Sequence, residues 1–509
     1  MFRVSIAYLN YVFDDPRVLA FLLSSVLATY YLAKHIPGDY MPWTGMVFSM
    51  TMLAISRTNY IMNNIDYVIF NPNLTQPQMM LTMKLVSFCW NVRDGRQSSD
   101  RTSQVQKDRA VRTMPGLLEF TSYALFFPGL FSEPFLDFVE FQRYMTGANR
   151  VGDKGFPQGS PTDARAPSTL PKQWHPPGPT LIALRKGAQG LLLVALFHVL
   201  TKRYTVNILL DPNVTKTYNL PSRMLILHII LLTTRIRAYG IWALSEGICI
   251  ATGLGYTGVD PLTRQPLFEI IENADFWGVE FSNCPKQYLR SWNTTVASWL
   301  RHYVYERINA TRNKSGFAAR TATLAFSALW HGFEPGFYVS FMGVSVLQCA
   351  ISGMSGFHSQ DLMVNEADKV ITDLRKLMQN NHFAFASRKH SSSFRNTTTV
   401  LRHCLWAVMS WLLCQSLLDY ALVPFLAGSL TNILKVWSSL SFYGTAVVVA
   451  VLLSTRGSHL LKASLSAREL RSRSLSNRLS LVEKKLKVLV KWAGKQLDGT
   501  LTNGKRFEM

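Results

Sequence analysis

A histidine and an asparagine set 38 positions apart are the residues best suited to chemistry in this chain. His331 lies in SALWHGFEPGFY, Ser327 to Tyr338, an insert within an otherwise apolar run. Gly332, Pro335 and Gly336 suit an uninterrupted helix poorly, so the spacing predicts a break that presents His331 to an internal cavity. Neutral imidazole has an ordinary pKa of about 6.5 and is matched to taking a proton from a hydroxyl at neutral pH. A histidine packed beside a tryptophan such as Trp330 is, taken alone, more often a packing residue than a catalyst, so its companions decide. Asn293 follows Trp292 in LRSWNTTVASWLRHYVYERI, Leu289 to Ile308, where aromatic and cationic residues alternate as they do at a membrane interface. The Asn293 amide is a neutral donor and acceptor able to orient a reacting group, although Asn293-Thr294-Thr295 is also a formal glycosylation sequon.

A second constellation interrupts the run Thr233 to Gly258. Positions 235, 239, 242 and 246 share one helical face, which predicts Arg235, Tyr239, Trp242 and Glu246 along a bundle interior. Arg235, Arg237 and Tyr239 are candidates for contacting phosphates, since guanidinium pairs bidentately with such groups. The alternative is an Arg–Glu arrangement that holds helices together, with Glu246 neutralising an arginine. Trp292 and Trp330 complete the set of candidate substrate contacts. Six cysteines without CxxC spacing indicate neither a metal site nor a disulfide framework.

The elements that must position these residues are helices in a bilayer. The chain has 509 residues, 48% hydrophobic and 12% aromatic, with a mean hydropathy of +0.09. Ten apolar runs recur, among them Val18 to Ala33, Trp43 to Ile55, Leu117 to Phe131, Met224 to Thr234 and Ile241 to Leu254. They predict an all-α polytopic membrane protein of about 9–11 transmembrane or re-entrant helices enclosing a catalytic chamber. Val18 to Ala33 lacks a cleavage pattern and reads as a retained first span. The formal charge of +22 belongs in cytoplasmic loops and juxtamembrane segments, which argues against nucleic acid as a partner.

Three polar segments, Asn91 to Thr113, Arg143 to Thr180 and Met354 to Thr399, read as solvent-facing loops. Residues 1–460 form the multispanning domain. Residues 461–509 form a basic tail in which Val482, Leu486, Leu489, Ala493 and Leu497 recur at helical spacing, which fits an amphipathic helix on an anionic leaflet and equally a solvated tail with a helical tendency.

Taken in order, these motifs resemble the membrane-bound O-acyltransferase family, and within it the lysophospholipid acyltransferase branch. The likeness runs from about Trp90 to Phe341. It rests on Trp292-Asn293 with the following WLRHYVYERI, on the block around His331, and on Arg237 to Trp242 leading into Ser245-Glu246-Gly247. Asn91 to Gly95, Pro115 to Phe120 and Phe126 to Gly129 add to it. Gly116 and Ser132-Glu133-Pro134 depart from the pattern.

The resemblance implies acyl transfer from acyl-CoA, as co-substrate with no bound cofactor, to a lysophospholipid hydroxyl in the endoplasmic reticulum membrane. His331 would be the general base, with Asn293 positioning the hydroxyl or stabilising the oxyanion. Membrane lipids are implied partners, and homo-oligomerisation stays open. The alternatives are a protein, sterol or other lipid acceptor, or a transporter whose buried Arg and His line a pathway. Tyr288 to Asn293 lacks the signature of the sterol and diacylglycerol branch, and no inverted repeat supports a transporter.

Overall fold

In the computed structural model, residues 2–62, 74–98, 102–130, 132, 134–147, 179–259, 265–312, 316–354, 397–454 and 484 are described. They are almost wholly helical. The chain begins with α1 (Phe2–Phe13), α2 (Pro16–His35), α3 (Tyr40–Met62) and α4 (Thr75–Arg96). Then come α5 (Gln104–Arg109), α6 (Leu117–Ala124), α7 (Phe138–Thr146), α8 (Pro179–Leu200), α9 (Asn207–Leu210), α10 (Val214–Thr217) and α11 (Leu220–Thr252). A two-residue antiparallel ribbon, β1 (Gly258–Val259) with β2 (Pro266–Leu267), precedes α12 (Phe276–Glu280), α13 (Pro285–Ser291) and α14 (Thr294–Leu300). A π-helical turn, Arg301–Tyr305, leads into α15 (Glu306–Arg312), α16 (Gly316–His331) and α17 (Pro335–Met354). The last elements are α18 (Thr397–Leu422), α19 (Pro424–Ala427) and α20 (Leu430–Ser439).

Among the described residues four helices are long and apolar enough to cross a bilayer: Pro16–His35, Pro179–Leu200, Leu220–Thr252 and Ala407–Ala427. Leu430–Ser439 with Tyr443–Ser454 makes a fifth if counted together, and Pro335–Ala350 is a shorter apolar helix. The protein is therefore a polytopic helical membrane protein. It divides into a unit of residues 1–349 and 358–444, which holds every site residue discussed below, and a unit of residues 350–357 and 445–509. The predicted amphipathic tail, 461–509, lies outside the described residues except for Lys484, as do most of Arg143 to Thr180 and Met354 to Thr399.

Three expectations are revised. The apolar runs Met224 to Thr234 and Ile241 to Leu254 are one 33-residue helix, α11. At 1.5 Å per residue it is about 50 Å long, well beyond a hydrocarbon core of about 30 Å. No proline interrupts it beyond its first turn, and of the arginines between the two runs Arg235 is neutralised internally while Arg237 is exposed, its guanidinium 5.8 Å from the Phe197 ring centre. The run Leu117 to Phe131 is no span: Pro128 and Gly129 end it in a 3-10 turn after the eight residues of α6.

The charge-rich segment from Asn91 is not a solvent loop throughout. Residues 91–96 are the last turns of α4, a helix with 17 buried residues, and Asn91 and Asp94 are among them. Their polarity is satisfied at long range. Arg307 pairs with Asp94 at 2.9 and 2.5 Å and lies over the Trp90 ring at 4.4 Å, while the Tyr303 hydroxyl bonds Asn91 and Asp137 at 3.0 and 2.7 Å. Buried charge persists only when paired in this way.

Candidate active site

The predicted helix break is present. α16 ends at His331, Gly332 adopts φ +139°, a conformation for glycine, and Pro335 starts α17. The turn is fastened to the loop after α19 by a 2.8 Å bond from the Gly336 N–H to the Gly428 carbonyl. A Cβ at Gly336 would collide with the Pro424 carbonyl, so the close approach requires glycine. The half-buried His331 ring sits among Trp330 (4.9 Å between ring centres), Phe425 (5.1 Å), Phe341 (5.4 Å) and Phe337 (5.8 Å). Among the described residues neither ring nitrogen has a protein hydrogen-bond partner. Both nitrogens are thus left for a substrate hydroxyl within an apolar shell.

Asn293 is the N-cap of α14, at φ 44° and ψ 60°, a left-handed conformation that asparagine tolerates, and its Oδ1 accepts the Val296 N–H at 3.4 Å. The neighbouring Trp292 packs edge-on to Trp242 at 4.9 Å and to Tyr239 at 5.7 Å. The strand of chain leading to Asn293 is held from α11. Glu246 accepts the Asn273 N–H at 2.9 Å, and Asn273 in turn bonds the Thr294 N–H at 2.8 Å and the Thr295 hydroxyl at 2.8 Å. Glu246 is neutralised by Lys186 of α8 at 2.6 Å rather than by an arginine.

A single helix carries both the Asn293 and the His331 elements. Trp299, in the helix capped by Asn293, donates its indole N–H to the Met83 carbonyl, and Trp330, next to His331, donates to the Met79 carbonyl, each at 3.1 Å. Trp330 is 4% exposed, so as a substrate contact it is nearly enclosed, and it shares a core cluster with Trp299, Tyr303, Met79 and Met83.

Arg235, Tyr239, Trp242 and Glu246 are all buried, as the helical spacing predicts. Arg235 makes a bidentate pair with Glu280, 2.8 and 2.8 Å, and reaches Asp419 at 3.5 Å; the Tyr239 hydroxyl donates to Glu280 at 2.8 Å. Asp419 also binds His228 at 2.7 Å. The arginine–carboxylate arrangement that ties elements together thus exists, with Glu280 as the acid in place of Glu246. Arg237 points away from it.

Sequence reasoning passed over Arg57, Phe341, Phe425, Lys186 and Glu280. Arg57 was readable only as a lone cation just past the run Trp43 to Ile55.

A broken helix ending at a histidine unpartnered among the described residues and a turn capped by an asparagine are thus both anchored to α4. Residues 63–363 match the membrane-bound O-acyltransferase family, and the chain belongs to that family. A lysophospholipid acyltransferase of Schizosaccharomyces pombe is 32% identical over 339 residues, 67% of this chain and 62% of its own. One from Saccharomyces cerevisiae is 31% identical over 331 residues, 63% of this chain and 51% of its own. Human membrane-bound glycerophospholipid O-acyltransferase 1 is 26% identical over 337 residues, 64% of this chain and 62% of its own. The matches thus span about half to three-fifths of the length of these relatives.

Proposed function

We propose that the protein is an O-acyltransferase that moves a fatty acyl group from acyl-CoA to the free hydroxyl of a lysophospholipid. The observation that carries this reading is the His331 ring, held in a shell of Trp330, Phe337, Phe341 and Phe425 with both nitrogens lacking a protein partner. The two yeast relatives, each a lysophospholipid acyltransferase, support the choice of acceptor.

His331 takes the hydroxyl proton as the lysolipid oxygen attacks the thioester carbonyl. Asn293 donates from its amide to the oxyanion that develops, or holds the attacking hydroxyl in line. Collapse of the tetrahedral adduct breaks the carbon–sulfur bond, and the CoA thiolate takes the proton back from His331. No acyl-enzyme is formed. The aromatic shell keeps bulk water from competing as acceptor. Trp292, Trp242, Tyr239 and Arg235 line and brace the Asn293 side; Arg237, being exposed, is left to contact phosphates at the surface.

The catalytic body comprises residues 1–460 in a multi-pass protein of the endoplasmic reticulum membrane, with 461–509 as a membrane-surface tail. A protein or sterol acceptor is the second reading.

The test is a panel of acceptors offered to membranes containing the protein with labelled oleoyl-CoA: lysophosphatidylcholine, lysophosphatidylethanolamine, lysophosphatidylserine, lysophosphatidylinositol and lysophosphatidic acid. Labelled phospholipid from one or more is expected. No labelled phospholipid from any, with the protein present and folded, overturns the lysolipid reading in favour of the second.

A further inference from the structure

One cation beside His331, Arg57, makes no ion-pair contact among the described residues, although the Glu334 carboxylate of the same turn lies near enough to favour its charge. Arg57, near the end of α3, sends Nη2 to the Met79 sulfur at 3.1 Å. Its Nε is shielded from solvent and has no hydrogen-bond partner. Among the described residues no carboxylate lies within ion-pair distance of this half-buried guanidinium, whereas the buried Arg235 and Arg307 are paired bidentately with carboxylates and the buried Arg223 donates to the Ser439 carbonyl. A sheltered guanidinium left in this state costs free energy, and such a group calls for an explanation.

The position supplies one. A Cβ built on Gly332, the residue after His331, would stand 2.6 Å from Arg57 Nη1 and 3.1 Å from its Cζ. The guanidinium therefore borders the break that displays His331, and the absence of a side chain at Gly332 makes room for it. Met79 holds it from the other side, and the same residue's carbonyl receives the Trp330 indole. Arg57 and His331 are thus fixed against one turn of α4.

We propose that Arg57 binds the phosphodiester of the lysophospholipid acceptor and so sets its free hydroxyl at His331; this rests on the acyltransferase reading above. The chemistry of the two substrates selects the lipid. In a lysophospholipid with a free central hydroxyl, that oxygen and the phosphorus are four covalent bonds apart, a span that one arginine beside the base can cover. In acyl-CoA more than ten bonds of the pantetheine arm separate the thioester sulfur from the nearest phosphate, which places those phosphates away from Gly332. Guanidinium also suits the role because its donors match phosphate oxygens in pairs. Arg57 is a positioning residue: it moves no proton and holds the acceptor so that the hydroxyl meets the base.

Binding separates this inference from the reading on which it rests. In a His331→Ala background, the affinity of the detergent-solubilised protein is measured for 2-deoxy-lysophosphatidylcholine, for a monoacylglycerol of the same chain, and for oleoyl-CoA. Arg57→Met should weaken the phosphodiester ligand at least tenfold while changing the other two less than threefold, and Arg57→Lys should restore part of the loss. Equal affinities for the phosphodiester ligand in Arg57→Met and its parent overturn the proposal, as does an equal loss for all three ligands. If Arg57→Met does not accumulate as folded protein, Arg57→Lys carries the test, with a KM for lysolipid raised severalfold and a KM for oleoyl-CoA unchanged. A protein that transfers no acyl group yet shows the Arg57-dependent affinity would defeat the proposed reaction and leave the phosphate site standing.

Discussion

Trp299 and Trp330 hydrogen-bond to the same helix one turn apart, through the Met83 and Met79 carbonyls at 3.1 Å each. Positions 79 and 83 are about 6 Å apart along a helix axis. The helix capped by Asn293 and the helix ending at His331 are therefore registered against a common rigid element rather than against each other alone. Replacing Trp330 with Phe keeps an aromatic ring but removes the indole donor and part of the ring volume. About 1–3 kcal/mol of stability should be lost, with kcat/KM falling about tenfold because the histidine shifts relative to its substrate. Wild-type kcat/KM in both Trp330→Phe and Trp299→Phe would show that the register does not matter.

The turn after His331 should be intolerant of a methyl group at Gly336. A Cβ there meets the Pro424 carbonyl, backbone that cannot swing away, so Gly336→Ala is expected to cost about 1–3 kcal/mol. Thermal unfolding of the solubilised protein reads this out, and an unchanged midpoint would mean that the loop carrying Gly428 yields freely.

Breaking the Arg235–Glu280 pair from one side leaves the buried guanidinium with only its longer 3.5 Å carboxylate contact, to Asp419. Glu280→Ala should destabilise by about 3–5 kcal/mol, and the double change Arg235→Met with Glu280→Met should recover most of that. If Arg235→Met instead leaves the melting temperature alone and raises a substrate KM, the guanidinium serves a substrate phosphate and not the fold.

The short helix α7 carries a titrating acid. Burial and the Asp137 carboxylate push the Glu140 carboxyl up to about 7, on α7 outside the spans. A carboxyl whose folded pKa is raised holds its proton more tightly folded than unfolded. Its stabilising contribution is therefore complete below the unfolded value of about 4.5 and fades as pH rises through 7. Between pH 5 and 8 the melting temperature of the wild type should fall by about 2 °C more than that of Glu140→Gln. Parallel profiles would contradict a raised carboxyl.

Local signals carried much of this architecture. The break at Gly332 to Gly336 was readable because glycine and proline act on their own backbone, and the buried face of Arg235, Tyr239, Trp242 and Glu246 because helical periodicity is local. Partners were not readable. Arg235 meets Asp419, 184 positions away, and Arg307 meets Asp94, 213 positions away, so no spacing rule links them. The same blindness made Asn91 to Arg96 look solvated: charge density in sequence is the same whether the charges face water or each other. Arg57 escaped notice because one cation at the end of an apolar run resembles an interfacial anchor until Gly332 is seen beside it.

The central claim is that His331 is the base of an acyl transfer. It is tested most directly by the initial rate of labelled oleoyl transfer from oleoyl-CoA to lysophosphatidylcholine, or to the lysolipid the acceptor panel ranks highest. Wild type and His331→Ala are compared in membranes at matched protein levels, with folding checked by thermal unfolding. Loss of general-base catalysis predicts a rate at least a hundredfold lower in the folded variant. A folded His331→Ala protein that transfers oleoyl groups at the wild-type rate would contradict the account.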